Sequence, residues 1–348
     1  MTSWNAGTIM GDSPPDKAVA NRRVTALFGT LLAAGVILRL ASSVFSQGFI
    51  YPDEHQEYLE VAQGLVYGPH ISWWEYERGI RHYFYPSCLA LVLSFLDLIG
   101  VRDPLYQATT IRALLGLAVF ASIALLARDW KREGRTPGAL CLLALAALSP
   151  DIIYMSIRTL SETAATIPLV LSIYFFKRDA LLTGLLLGMM FAVRFQMAFF
   201  IPGFFALSLY DDWSACRWRK GATGRMAAGL AISLMLVGLM DKVTWGRWFH
   251  SPLESFQAQI TEGIAARYGV APWYQYLDWG AQLLAETVPF LGFILIALGM
   301  LREWRLAFVG LIFLIGHSVI DRKDPRFLWP LAPIGLLVFA AGFEMVYR

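Results

Sequence analysis

Charge is scarce in this sequence. Only 16% of its 348 residues are Asp, Glu, Lys or Arg, against about 25% in an ordinary soluble domain. Cysteine is sparse too: Cys88, Cys141 and Cys216 are scattered without metal-ligand spacing, which argues against a disulfide framework or a zinc module. No internal repeat is visible, so a solenoid is excluded. What remains is apolar: 57% of the residues are hydrophobic and the mean hydropathy is +0.53. Apolar runs recur from end to end at about the 17–25 residues needed to cross a hydrocarbon core. The chain is expected to be an all-α polytopic membrane protein. Its net charge of +3 is then no sign of nucleic acid, because Lys and Arg in such chains set topology.

Ten segments read as spans: 24–45, 105–127, 138–149, 163–176, 181–193, 195–210, 226–240, 279–301, 306–320 and 327–346. Several are short, as tilted or protein-buried helices are. The polar stretch 1–23 reads as a disordered cytosolic tail, with the membrane domain covering 24–348. Basic loops at 128–135, 177–179, 216–225 and 302–305 join Arg22 and Arg23 on the cytosolic side. This parity puts 46–104, 150–162, 241–278 and 321–326 on the other face. The run 84–100 is apolar enough to cross, but a crossing there would invert every later basic loop. It is read as lying in the outer interface or re-entering, within a total of ten to twelve helices.

The unusual residues gather on the outer face. "FIYPDEHQEYLEVAQGLVYG" (49–68) begins a helix at Pro52, with Asp53 and Glu54 at the positive end of its dipole. Tyr58, Val61, Ala62 and Leu65 share one side, as in an amphipathic helix on a membrane surface. Asp53, Glu57 and Glu60 share another. Capping plus a solvated face would account for these acids. The neighbouring "ISWWEYERGIRHYFYP" (71–86) adds Trp74, Glu75, Arg81 and Tyr85, an aromatic shelf among charges that suits sugars and phosphates. "SPDIIYMSIRTLSE" (149–162) brings Arg158 and Glu162. The segment 241–278 contributes Asp241 and Trp273. "DRKDPRFLWP" (321–330) sets Arg322, Lys323 and Arg326 on a short outer loop, against the positive-inside bias, which points to an anionic partner. Arg39, Arg112 and Arg194 lie in or beside spans, where ionisable groups are functional candidates.

These motifs together resemble glycosyltransferase family 22 of the GT-C superfamily, the mannosyltransferases of N-glycan and GPI-anchor assembly. Its H-P-D-E motif corresponds to Tyr51-Pro52-Asp53-Glu54, followed by matches at Glu60, Ala62, Leu65, Tyr67-Gly68, Trp74-Glu75 and Tyr85-Pro86. "RTLSET", "VRFQ", "DKVTWGRW…YGVAPWYQY" and "DRKDPRFLWPLAP" follow in the family's order. Tyr51 and Arg322 stand where the family has His, and Phe195-Gln196 where it has Pro-Thr.

The resemblance implies a GT-C fold and an inverting transfer of a hexose, most simply mannose. The donor would be a polyprenyl-phosphate sugar and the acceptor an extracytoplasmic glycan or glycolipid. It makes Asp53 the base with Glu54 beside it; by their own chemistry Arg326 and Lys323 are the leading phosphate ligands, joined by Arg158 or Arg81. Trp74, Glu75, Tyr85, Asp241 and Trp273 would line the acceptor and sugar sites. A phosphate leaving group asks for no metal or cofactor. An arabinosyl or aminoarabinosyl transferase would share this logic; a lipid or sugar transporter would instead show mid-span charges and a pseudo-repeat. Compact loops suit a bacterial inner membrane, and the family suits the endoplasmic reticulum.

Overall fold

The computed structural model describes residues 14–68, 73–214, 221–287 and 290–348. Helices make up nearly all of them, and no strand occurs among the described residues. In chain order they are α1 (Pro14–Phe45), α2 (Glu60–Tyr67), α3 (Trp74–Glu77), α4 (Phe84–Leu98), α5 (Pro104–Arg132) and α6 (Thr136–Leu148). Next come α7 (Pro150–Ser156), α8 (Ser161–Phe175), α9 (Ala180–Val193), α10 (Ile201–Ser214) and α11 (Ala222–Trp245). The chain ends with α12 (His250–Phe256), α13 (Gln275–Thr287), α14 (Leu291–Arg302), α15 (Trp304–Val319) and α16 (Ala332–Tyr347).

Nine of the expected spans are helical over nearly all of their length, whereas 279–301 is divided between α13 and α14, with Phe290 in a turn between them. Among the described residues, four helical stretches are long and apolar enough to cross a membrane: Asn21–Phe45, Pro104–Arg132, Ala222–Trp245 and Pro325–Tyr347. The bent pair α6–α7, which turns through 64°, makes a fifth if counted as one span. Four more apolar helices, α4, α9, α14 and α15, are shorter. Of the expected tail, residues 14–23 instead form the first turns of α1, and 1–13 lie outside the described residues. Their helicity follows from continuity: once the apolar run nucleates a helix, extending it backwards is cheap.

Two large cores organise the helices. One joins α1, α5, α6 and α16 through Phe28, Phe120, Ile123, Leu142, Leu143 and Leu337. The other joins α8, α9, α10, α11, α15 and α16 through Leu169, Leu187, Met190, Phe204, Phe313 and Val338. Glycine sets the closest approaches. A Cβ on Gly299 would lie 1.8 Å from the Val338 carbonyl, and one on Gly342 1.8 Å from that of Leu295. Gly184 and Gly229 play the same reciprocal part between α9 and α11. Small residues facing each other let helix backbones touch, the usual device where lipid supplies no hydrophobic drive. A smaller cluster seats α2 and α4 on α5 through Tyr58, Ala62, Tyr85, Leu89 and Ile111. It fixes the chain segment that carries the acids.

Candidate active site

The acidic motif does not continue as a plain α-helix. Pro52 and Asp53 make the first turn, and Glu54–Leu59 then forms a π-helical turn that leads into α2. Such turns are rare and often mark functional sites. This widened turn changes which side chains face inward. Tyr58, Val61 and Ala62 are buried as their spacing predicts, while Leu65 is exposed. Glu54 and Glu57 are buried as well.

Glu54 is fully enclosed. Its Oε1 accepts from the Ile50 and Tyr51 backbone N–H groups at 3.1 and 3.4 Å, and its Oε2 from that of Thr159 at 3.4 Å. It is a clasp between the acidic motif and the turn before α8. Arg158, beside it at 4.0 Å, donates to Ser46 Oγ at 2.5 Å and to the Gly48 carbonyl at 3.4 Å. Arg112 donates to the Ser46 and Gly48 carbonyls at 2.8 and 2.5 Å. Two guanidiniums thus brace the turn that leaves α1. Arg39 is braced in the same manner against the Gly35 and Ala146 carbonyls and the Phe120 ring.

Asp53 has a different setting. It is partly exposed, and its Oδ2 lies 2.8 Å from Arg326 Nη1. Arg326 is buried on the turn that precedes α16, between Asp53, Asp324 (3.2 Å) and Glu162 (3.8 Å), with its face over the Tyr51 ring at 4.4 Å. Glu162 in turn holds Arg194 Nη2 at 3.2 Å, and Arg194 Nη1 donates to Ser161 Oγ at 3.0 Å. The Tyr58 hydroxyl donates to the same Ser161 oxygen at 2.8 Å. The carboxylate and its cation therefore sit on a network tying the acidic motif, α8, the end of α9 and the turn before α16.

Glu57, expected on the wet side of the helix, is buried and accepts from Arg81 at 2.8 Å. The Tyr76 hydroxyl donates to the Glu57 carbonyl at 2.9 Å. Half-buried Glu75 shares this neighbourhood: burial raises its carboxyl pKa, the charge of Glu57 adds to the rise, and Arg81 opposes it. Tyr85 is buried with its ring 5.1 Å from Tyr58. It lines a small cavity with Tyr58, Arg81, Ser161 and Arg194.

Other expected residues are placed elsewhere. Asp241 is fully buried and accepts from the Ser251 hydroxyl and backbone N–H at 2.7 and 2.8 Å, with His82 Nε2 at 3.6 Å. It fastens the 246–250 turn. Burial lowers the His82 pKa, against the pull of Asp241. Trp74 packs with Ile80, Ala258 and Ile264. Its neighbour Trp73 donates to Glu60 at 3.0 Å, which gives that carboxylate a partner. Trp273 is exposed, edge-on to Tyr274. Lys323 donates to the Ile320 carbonyl, and burial lowers its pKa while Asp321 opposes the shift. Among the described residues no cluster of His, Cys, Asp or Glu is arranged to hold a metal ion.

Sequence reasoning quoted Glu162, Arg194 and Asp324 in their motifs but gave them no place beside Asp53. The signal available was their position in matched motifs; the partners required the fold.

The order of these motifs has a counterpart among known proteins: the sequence profile described as the Alg9-like mannosyltransferase family matches residues 30–348. The chain belongs to that family. A GPI mannosyltransferase 3 from Debaryomyces hansenii is 26% identical, over 87% of this chain and 57% of its own length. A GPI alpha-1,2-mannosyltransferase 3 from Danio rerio is 25% identical, over 89% of this chain and 59% of its own. A GPI mannosyltransferase 3 from Trypanosoma brucei brucei is 24% identical, over 85% and 61%. The chain thus spans less than two thirds of the length of these relatives. No solved structure matches it.

Proposed function

We propose that this member of the Alg9-like family is an inverting membrane mannosyltransferase that takes its sugar from a polyprenyl-phosphate donor. Asp53 is the general base and the acceptor is a glycan or glycolipid. The observation that carries this reading is the Asp53–Arg326 contact at 2.8 Å. It joins a carboxylate from one end of the chain to a cation from the other, at a partly exposed spot rimmed by Tyr51, Glu162 and Asp324.

In this reading Asp53 takes the proton from the acceptor hydroxyl as its oxygen attacks the anomeric carbon. The bond from that carbon to the lipid phosphate breaks, and its electron pair leaves on the phosphate. Inversion follows from attack on the face opposite the leaving group. A positioned base contributes about 10²–10⁴ in rate, and fixed cations stabilise the charge that develops on the leaving oxygen. Glu54, Arg158 and Arg112 keep the base in position from behind. Arg326 meets the phosphate by exchanging Asp53 for it, a swap of one anion for another at a forked guanidinium.

The names of the relatives support mannose as the sugar and a GPI-type glycolipid as the class of acceptor. The membrane would be one that holds polyprenyl-phosphate sugars, with the 46–104, 241–278 and 321–326 segments on its extracytoplasmic side. Purified protein in lipid nanodiscs, given labelled polyprenyl-phosphate mannose or a polyprenyl-phosphate pentose with a glycolipid acceptor, tests the reading. Mannose transfer lost in Asp53→Asn is the expected result. Transfer of the pentose alone, or full turnover by Asp53→Asn, overturns it.

A further inference from the structure

Several cations surround Asp53, and nearly all of them already hold an anion or a carbonyl. Arg326 is shared among Asp53, Asp324 and Glu162; Arg194 is on Glu162, Arg81 on Glu57, and Arg158 beside Glu54. The Lys323 ammonium is turned back onto the Ile320 carbonyl. Arg322 differs. It is half-buried, and its guanidinium lies over the Tyr268 ring at 4.9 Å and the Phe327 ring at 5.9 Å. Among the described residues it has no ion-pair or hydrogen-bond partner.

A guanidinium laid on aromatic faces keeps its N–H edge free, and that edge is the part that grips a phosphate. The platform is also fixed. The Ala271 N–H donates to the Asp321 carbonyl at 3.0 Å, which pins the turn bearing Arg322 to the segment bearing Tyr268. Phe327 is common ground: Arg326 and Arg194 lie over the same ring at 5.3 and 5.1 Å. A cation without an ion pair therefore stands one ring away from the cation that holds Asp53.

We propose that Arg322, stacked on Tyr268 and Phe327, is the first anchor for the lipid-linked phosphate, which then competes with Asp53 for Arg326. This rests on the donor half of the proposed function and assigns the anion to a residue outside the ion pairs. It also orders events: a phosphate held by Arg322 is delivered to Arg326, and the base is released only when donor is in place. Arg322 touches the substrate in this scheme, and Tyr268 is its positioning residue.

Farnesyl phosphate, with farnesol as the uncharged control, is titrated onto the purified full chain in detergent, with thermal unfolding followed in parallel. Arg322→Ala is expected to bind farnesyl phosphate about tenfold more weakly, the loss of one charge-assisted contact, with farnesol binding and unfolding unchanged. Arg322→Lys recovers part of the loss. Tyr268→Leu, which keeps the charge but removes its platform, weakens binding about threefold. Asp53→Asn, which removes the competing anion, tightens it. An Arg322→Ala protein that titrates like the wild type overturns the proposal, as does a wild type that ignores farnesyl phosphate. Two outcomes separate this site from the reaction. Arg322-dependent binding without sugar transfer overturns the transferase reading and keeps the anion site. Mannose transfer by Arg322→Ala at an unchanged donor KM does the reverse.

Discussion

Asp53 Oδ2 and Arg326 Nη1 lie 2.8 Å apart, so the best-placed carboxylate of the protein spends its resting state on a cation. Each side chain is held from behind by groups the other does not touch. Glu54 clasps the acidic motif to Thr159, while Asp324 caps the Arg326 backbone N–H at 3.0 Å and lines its guanidinium. In the proposed mechanism the two side chains part while these fastenings hold their segments in place.

Removing the base without removing its shape gives the first prediction. Asp53→Asn lowers the turnover of mannose transfer by about 10²–10⁴ and leaves the unfolding temperature near that of the wild type. Single-turnover assays on purified protein measure it.

Arg158 gives the opposite pattern. Sequence places it among phosphate ligands, whereas the fold spends its donors on Ser46, Gly48 and the neighbourhood of Glu54. Arg158→Ala should cost about 3–5 kcal/mol of stability, as deleting one partner of a buried pair does. The donor KM of whatever folded protein remains should be unchanged. A raised KM at full stability would return Arg158 to the substrate.

Helix contact through glycine is equally open to test. Gly299→Ala puts a methyl 1.8 Å from the Val338 carbonyl, and neither backbone yields cheaply. A loss of about 1–3 kcal/mol is expected, read as a lower unfolding temperature in detergent. Gly335→Ala, on α16, the helix that Gly299 of α14 packs against, but with open space around it, is the control and should change little.

The pH dependence of one loop contact has a definite sign. Arg78 forks onto Glu262 at 2.7 and 2.5 Å, and that hydrogen-bonded cation lowers the Glu262 pKa from its ordinary 4.5. A carboxyl lowered on folding stabilises the folded contact fully above its ordinary pKa and loses that contribution as pH falls through the lowered value. The 254–262 segment should then gain hydrogen exchange, corrected for intrinsic rate, only below the usual carboxylate range. Glu262→Gln should show the same gain at neutral pH.

Much of the fold was legible because helix position follows from the length and order of apolar runs, a local property. Nine of the ten expected spans are helical over nearly all of their length, and 279–301 is the exception, broken into α13 and α14 near Phe290. Glu57 was misread because a π-helical turn alters the register that 3.6-residue spacing assumes. Asp241 at a membrane edge looks available in the sequence, and only the fold shows that Ser251 and His82 take up its carboxylate.

What the sequence determined by itself was an apolar, all-helical chain, the family its motifs belong to, and the two segments, 51–54 and 321–326, that carry its candidate base and phosphate-binding cations. Only the tertiary structure decided which charge meets which. Pairing depends on packing that brings Asp53 to Arg326 from opposite ends of the chain and Arg194 to Glu162 from the consecutive helices α9 and α8, while leaving Arg322 over two aromatic rings without an ion pair. A buried charge is costly unless paired, so packing around it consumes most partners. A cation left unpaired beside the Asp53–Arg326 contact, as Arg322 is, is visible only after its neighbours have been matched.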